Sequence, residues 1–289
     1  TKSLEKTESN NINKENNGSK DIKELPKTTP ETEIDTDTEQ IIDYKNLCLI
    51  LKDYKNIDLG EINSLFRELR IKISRNKSFE NKQLSLYGLI LYDIFEVNKN
   101  YSILDFCLND KRTLIETLKL LNSISNEAKG RNYLIQKPNF ILSIVNLLKT
   151  EKAETESFQY YLGILQKLTL KNIAQDHLIQ QNLIDWIVTF ILSYKEELSD
   201  YSLEYGLALI MNLSLRKAGK EKMLNITEDI LKLISVYIDS PSVQVRTCIN
   251  GMLYSILDLE DFRVLASQYL EEKILLLIGN DSNNMNQQL

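Results

Sequence analysis

The five residues Leu121-Asn122-Ser123-Ile124-Ser125 decide the fold, because the chain repeats them three times in altered form. They return as Leu165-Gln166-Lys167-Leu168-Thr169, as Ile210-Met211-Asn212-Leu213-Ser214 and as Leu253-Tyr254-Ser255-Ile256-Leu257. With Ile124, Leu168, Leu213 and Ile256 as anchors, the separations are 44, 45 and 43 residues. Ten residues after each anchor stands an apolar residue: Leu134, Leu178, Met223 and Ala266. Five before it stand Lys119, Gly163, Ala208 and Gly251. Three of those four are small, although glycine is unfavourable inside a helix, so a small residue recurring there predicts close approach of two helices.

Around each anchor the apolar residues keep helical spacing. Leu114, Leu118, Leu121 and Ile124 lie on one stripe of residues 111–127. Tyr161, Leu165 and Leu168 repeat it, as do Leu209 with Leu213 and Leu253 with Ile256. No stretch alternates with the period of a strand. Breaks are expected at Gly130, Lys137-Pro138, Gly219 and Ser240-Pro241. A long anchor-bearing helix, a short helix and a medium helix per unit of about 44 residues is the armadillo/HEAT signature. The fold expected is therefore all-α, an armadillo/HEAT-like right-handed α-solenoid of about five to six helical units. Residues 111–279 hold the repeats, and residues 41–110 read as N-terminal helical units or a cap. A last helix, Glu271–Ile278, is expected to cover the C-terminal end.

Composition agrees. Nine Gly and four Pro among 289 residues are too few for the tight turns of an all-β protein, and 43 % apolar residues suffice for a large core. The net charge is −6, of which residues 1–40 carry −4. That segment has few apolar residues and reads as a disordered acidic linker or tail; residues 280–289 read as a frayed tail. The nearly neutral remainder lacks the basic face that nucleic-acid binding requires. Its longest apolar runs, Trp186–Leu192 and Ile274–Ile278, are too short to span a bilayer. No signal peptide is visible, and Cys48, Cys107 and Cys248 show no paired spacing, which suggests buried thiols in a reducing compartment. The first residue is Thr1, which reads as a fragment of a longer protein.

Three stretches carry more than a generic repeat pattern. They are Tyr161-Leu162-Gly163-Ile164-Leu165-Gln166-Lys167-Leu168-Thr169-Leu170, then Leu198 to Tyr205 running into Ala208-Leu209-Ile210-Met211-Asn212-Leu213, and Asn250 to Leu257. Together, over about residues 155–270, they resemble the armadillo region of the LisH-domain and armadillo-repeat ciliary and basal-body protein family known as armadillo repeat-containing protein nine. The resemblance implies a non-enzymatic scaffold of the cilium, basal body, axoneme or ciliary tip. It implies partners in a microtubule-associated cytoskeletal assembly: ciliary proteins with TOG domains, and tubulin. The family's LisH dimerisation module is not visible here, which leaves self-association undecided. The competing reading is a generic cytoplasmic armadillo adaptor, not ciliary, that binds peptides or helices.

No residues suggest catalysis, a metal or a cofactor. His177 is the one histidine and lies in Asp176-His177 beside Leu178-Ile179, where a capping or surface role suffices. No cysteine pair has metal-ligand spacing, and no glycine-rich phosphate cradle is present. Trp186, the single tryptophan, sits among Ile184, Ile187, Val188 and Phe190 and reads as core, with a partner anchor as the alternative. Peptide-carrying armadillo adaptors of the importin-α type read peptides with Asn one residue before the anchor and Trp four residues earlier. Here the first position holds Ser123, Lys167, Asn212 and Ser255, and the second Lys119, Gly163, Ala208 and Gly251. Only Asn212 fits, so that function is disfavoured despite the shared fold. The turns after the long helices are basic: Lys129 and Arg131, Lys171, Arg216, Lys217, Lys220 and Lys222, and Arg263. Repeat geometry predicts one basic rim, a candidate surface for an acidic partner such as tubulin. The competing role is neutralising helix C-terminal dipoles, worth a few tenths of a kcal/mol each.

Overall fold

The computed structural model describes residues 42–75, 78–99 and 102–280. The acidic segment 1–40 and the tail beyond Asn280 lie outside the described residues. Among the described residues there are fifteen α-helices and no strand. The first four are α1 (Tyr44–Lys52), α2 (Leu59–Ser74), α3 (Phe79–Leu91) and α4 (Ile103–Asn109). Then follow three long–short–medium triplets. They are α5 (Lys111–Asn126), α6 (Ala128–Gln136) and α7 (Phe140–Thr150); α8 (Glu156–Leu168), α9 (Asn172–Gln180) and α10 (Leu183–Ser193); and α11 (Asp200–Ser214), α12 (Lys217–Leu224) and α13 (Thr227–Tyr237). The series ends with α14 (Val243–Ile256) and α15 (Glu260–Asn280).

The long helices stack. In turn α2 packs on α5, α5 on α8, α8 on α11 and α11 on α14, so five of them form one row. Each begins at a side-chain cap, where Asp58, Asp110, Thr155, Ser199 or Ser242 accepts from a first-turn amide. Such a cap satisfies a donor that the helix itself leaves open. All four anchors are fully buried, and the apolar residues ten positions further on are buried too. The period found in the sequence is thus the period of the core. Truncating one anchor to Ala removes about 2–5 kcal/mol.

The short helices explain two glycines. The breaks expected at Gly130 and Gly219 fall instead inside the first turns of α6 and α12, and the chain turns three residues earlier, at Glu127 and Arg216. A Cβ on Gly130 would lie 2.0 Å from the Ile124 carbonyl oxygen, and one on Gly219 equally close to that of Leu213. Each glycine lets its short helix fold back onto the last turn of the preceding long one. The breaks at Lys137-Pro138 and Ser240-Pro241 do separate helices. The medium helices α7 and α10 start after Asn139 and Asn182, both in the left-handed region at φ 60° and 51°; asparagine tolerates that region better than most residues.

The last helix differs from expectation. In place of Glu271–Ile278 a single 21-residue helix runs over Glu260–Asn280 and packs on α13. No break residue separates a short from a medium helix there, so the two are continuous.

Candidate protein-binding rim and inward ladder

Three of the basic-turn cations reach neighbouring layers. Arg216, which precedes α12, reaches back to Asp176 of α9 with a forked pair of hydrogen bonds at 3.0 and 3.2 Å. Lys220 of α12 reaches forward to Asp258, between α14 and α15. Lys222 donates to the Asn182 side chain at 2.8 Å, before α10. These three cations therefore stitch consecutive layers, each across about one repeat of sequence.

Two others close helix ends. Arg131 donates to the carbonyls of Ser125 and Asn126 at 2.8 and 2.7 Å, and Arg263 to that of Leu257 at 3.1 Å. Both sit seven residues after an anchor. Gln175, at the same position, donates to the Thr169 and Asn212 carbonyls at 2.8 and 3.2 Å. Burial lowers the Arg131 pKa, against the opposing pull of Glu127. The three remaining rim cations are Lys129, which is exposed, Lys171, which is half-buried, and Lys217, whose side chain is 90 % exposed beside Glu221.

The position before the anchor points inward in three of the four units; in the first, Ser123 is half-buried and donates to the Lys119 carbonyl of its own helix at 3.1 Å. Lys167 donates its ammonium to the Asn122 side-chain oxygen at 2.6 Å and to the Asn122 carbonyl at 3.1 Å, from α8 to α5. Asn212 donates to the Thr169 hydroxyl at 2.7 Å, from α11 to α8. Ser255 donates to the Ser214 carbonyl at 2.7 Å, from α14 to α11. The side chain that reads a peptide in other armadillo adaptors here staples α8, α11 and α14 each to the layer before. Asn212, which alone fits that adaptor pattern, is 8 % exposed and already bonded. Burial, with Arg131 nearby, pulls the Lys167 pKa from the usual lysine value to about 7.

Five positions before the anchors the row is tight, as the small residues predict. A Cβ on Gly163 would lie 2.7 Å from the Tyr201 hydroxyl, and one on Gly251 equally close to the Met211 sulfur. Lys119 is the large member of the set. It bridges Glu116 and Glu156 at 3.6 and 3.3 Å, while Arg67 and Arg70 approach Glu116 at 3.5 and 3.8 Å. This charge network joins α2, α5 and α8, and composition alone did not reveal it.

Other sequence candidates resolve simply. His177 is exposed on α9. Trp186 stacks on Phe190 at 4.8 Å, which stacks in turn on Phe158 at 5.0 Å, so its ring is part of the packing between α8 and α10. Cys107 and Cys248 are buried, and burial pushes their thiols up to about 12 and about 11. Among the described residues no group of His, Cys, Asp or Glu could hold a metal ion, and no helix is long and apolar enough to cross a membrane.

Residues 178–289 match the family model for the ARM repeats of LisH domain-containing protein ARMC9. The repeats are ARMC9-family armadillo repeats. LisH domain-containing protein ARMC9 of Danio rerio is 32 % identical over 230 residues, 78 % of this chain and 28 % of the relative. The Bos taurus protein is 31 % identical over 76 % of this chain and 33 % of its own length, and the Homo sapiens protein 30 % over 76 % and 27 %. The chain thus spans about a third or less of these ARMC9 relatives. Solved structures agree on the fold: the designed armadillo repeat protein YIII(Dq)4CqI is 15 % identical at a TM-score of 0.65, covering 84 % of this chain and 95 % of that one. A computationally designed armadillo repeat protein for modular peptide recognition has the same identity and score, with coverages of 85 % and 96 %.

Proposed function

We propose that this chain is a non-catalytic armadillo-repeat scaffold that binds protein partners within a microtubule-associated assembly of the cilium or basal body. The relation to the ARMC9 repeats carries the reading, because it extends over most of the chain. The stack suits a scaffold, since stapled layers make a stiff body and each repeat offers side chains to a partner at a regular interval. Partners in this proposal are ciliary TOG-domain proteins and tubulin, met along the rim of basic turns. Lys129, Lys171 and Lys217 are the contact residues, since Arg131, Arg216, Lys220, Lys222 and Arg263 already hold the fold together. Self-association belongs to a LisH module elsewhere in such a protein.

The competing peptide-adaptor reading draws on the designed neighbour made for modular peptide recognition. The buried, bonded Asn212 and the Lys167 staple weigh against it, because a peptide would have to break them first. Proximity labelling with the tagged full-length protein in a ciliated cell tests the choice. Enrichment of tubulin, TOG-domain and basal-body proteins is the expected result. A cytosolic set without them overturns the ciliary reading.

A further inference from the structure

Two adjacent turns of the rim expose aliphatic side chains at the same repeat position. Leu170 follows α8 and Leu215 follows α11, 45 residues apart and each two residues past its anchor. They are 58 % and 61 % exposed, and Ile173, in the first turn of α9, is 54 % exposed. Single exposed apolar residues are ordinary. A repeated one, at a position that is polar in the flanking layers (Asn126 and Asp258), marks a bounded strip. A cation follows each leucine: Lys171, and Arg216 with Lys217. The ion pair between Arg216 and Asp176 draws the two turns together.

We propose that this strip docks an acidic amphipathic helix of a protein partner. The inference rests on the rim reading above and deepens it, adding the apolar contact and the partner's secondary structure. Packed helices stand about 8–10 Å apart, so the two leucines are separated by about one such step. An α-helix rises 1.5 Å per residue, so positions i and i+7 are about 10.5 Å apart on one face. Such a helix laid across the turns sets one apolar residue on Leu170 and Ile173 and the next on Leu215. Its flanking Asp and Glu side chains then meet Lys171 and Lys217.

The test places the photoreactive residue p-benzoylphenylalanine at position 215 of the tagged full-length protein in ciliated cells. Cross-linked peptides are read by mass spectrometry. Adducts are expected in segments with apolar residues three, four and seven apart among Asp and Glu. Adduct yield falls about fivefold or more with Lys171→Glu/Lys217→Glu and with Leu170→Gln. Leu170 and Lys217 are exposed and Lys171 is half-buried, and circular dichroism checks that the helices persist. No protein adduct, or adducts in segments without acidic residues, overturns the proposal. So does co-sedimentation with phosphatidylserine vesicles that the Lys171→Glu/Lys217→Glu pair abolishes. The two readings fail separately: adducts of the expected kind on cytosolic proteins sink only the ciliary reading, and a ciliary proximity set without adducts at position 215 sinks only the strip.

Discussion

Lys167 makes the stability of the stack depend on pH in a direction opposite to that of most lysines. Its ammonium is held between α8 and α5 by two oxygens of Asn122, with no carboxylate as partner. Burial brings its pKa from 10.5 to about 7, with a further contribution from the Arg131 charge. The folded state therefore prefers the neutral amine, while the unfolded chain keeps the proton up to about pH 10. Between those two values the unfolded state binds more protons, so stability rises with pH. As pH falls from 10.5 towards 7 that stability is lost, and below about 7 the loss is complete and flat. At 1.36 kcal/mol per pKa unit, the shift amounts to about 5 kcal/mol over the whole window, an order-of-magnitude figure. Between pH 7 and 9 the gain is about 2 kcal/mol, because the amine is half-protonated at the lower end. The variant Lys167→Met keeps the length of the side chain and removes the titration. Its lost hydrogen bonds to Asn122 shift stability by an amount independent of pH. The assay is urea unfolding followed at 222 nm at pH 6, 7, 8 and 9, with m-values checked for constancy. Wild type minus variant should be constant from pH 6 to below 7 and then grow by about 2 kcal/mol up to pH 9. All other groups are common to both proteins, and their contributions cancel in the difference. A difference that stays level between pH 7 and 9 would refute the buried, neutral lysine.

Three further perturbations probe the row and the rim. Gly163→Ala sets a methyl 2.7 Å from the Tyr201 hydroxyl; overpacking of about 1–3 kcal/mol outweighs the roughly 1 kcal/mol gain in helix propensity. Adding Tyr201→Phe removes the closer contact and leaves the Asn122 side-chain oxygen at 3.1 Å, so the double variant should melt above Gly163→Ala alone in a thermal scan, and an unchanged melting point would show that the crowding lies elsewhere. Asn212→Ala leaves a buried hydroxyl on Thr169 without its donor and should cost about 1–3 kcal/mol in denaturant midpoint, while proximity labelling keeps the same partners; a changed partner set with unchanged stability would return Asn212 to a peptide-reading role. Asp176→Arg should cost up to about 1 kcal/mol, because the pair is half-exposed, and adding Arg216→Asp should recover most of it in a double-mutant cycle; strictly additive losses would mean that the bridge does not join the layers.

The core was readable because its period is written in residue type. Anchors 43 to 45 residues apart, and their apolar companions ten positions on, are buried by the same geometry in every layer. The small residues five positions before them carry direct steric information, and Gly163 and Gly251 indeed meet a neighbouring side chain. What stayed hidden has a common cause: the same residue type serves two geometries. A glycine that ends a helix and one that lets a helix fold back onto a carbonyl are identical in one dimension, so Gly130 and Gly219 pointed to breaks three residues late. A signal did exist, since Ala174 also stands six residues after its anchor and small residues fill that position in three of the four units. Asn139 and Asn182, 43 residues apart, likewise marked the left-handed turns before α7 and α10. The basic turns show the limit most clearly. Charge counting predicts eight cations on one rim, yet direction decides their use: seven residues past the anchor Arg131 and Arg263 reach back to open carbonyls of the preceding helix, whereas Lys220 at the same position, like Arg216 and Lys222, finds an acceptor one layer away. The exposed leucines beside the remaining lysines were legible at the same repeat position, and they gain meaning only once the turns are known to be neighbours.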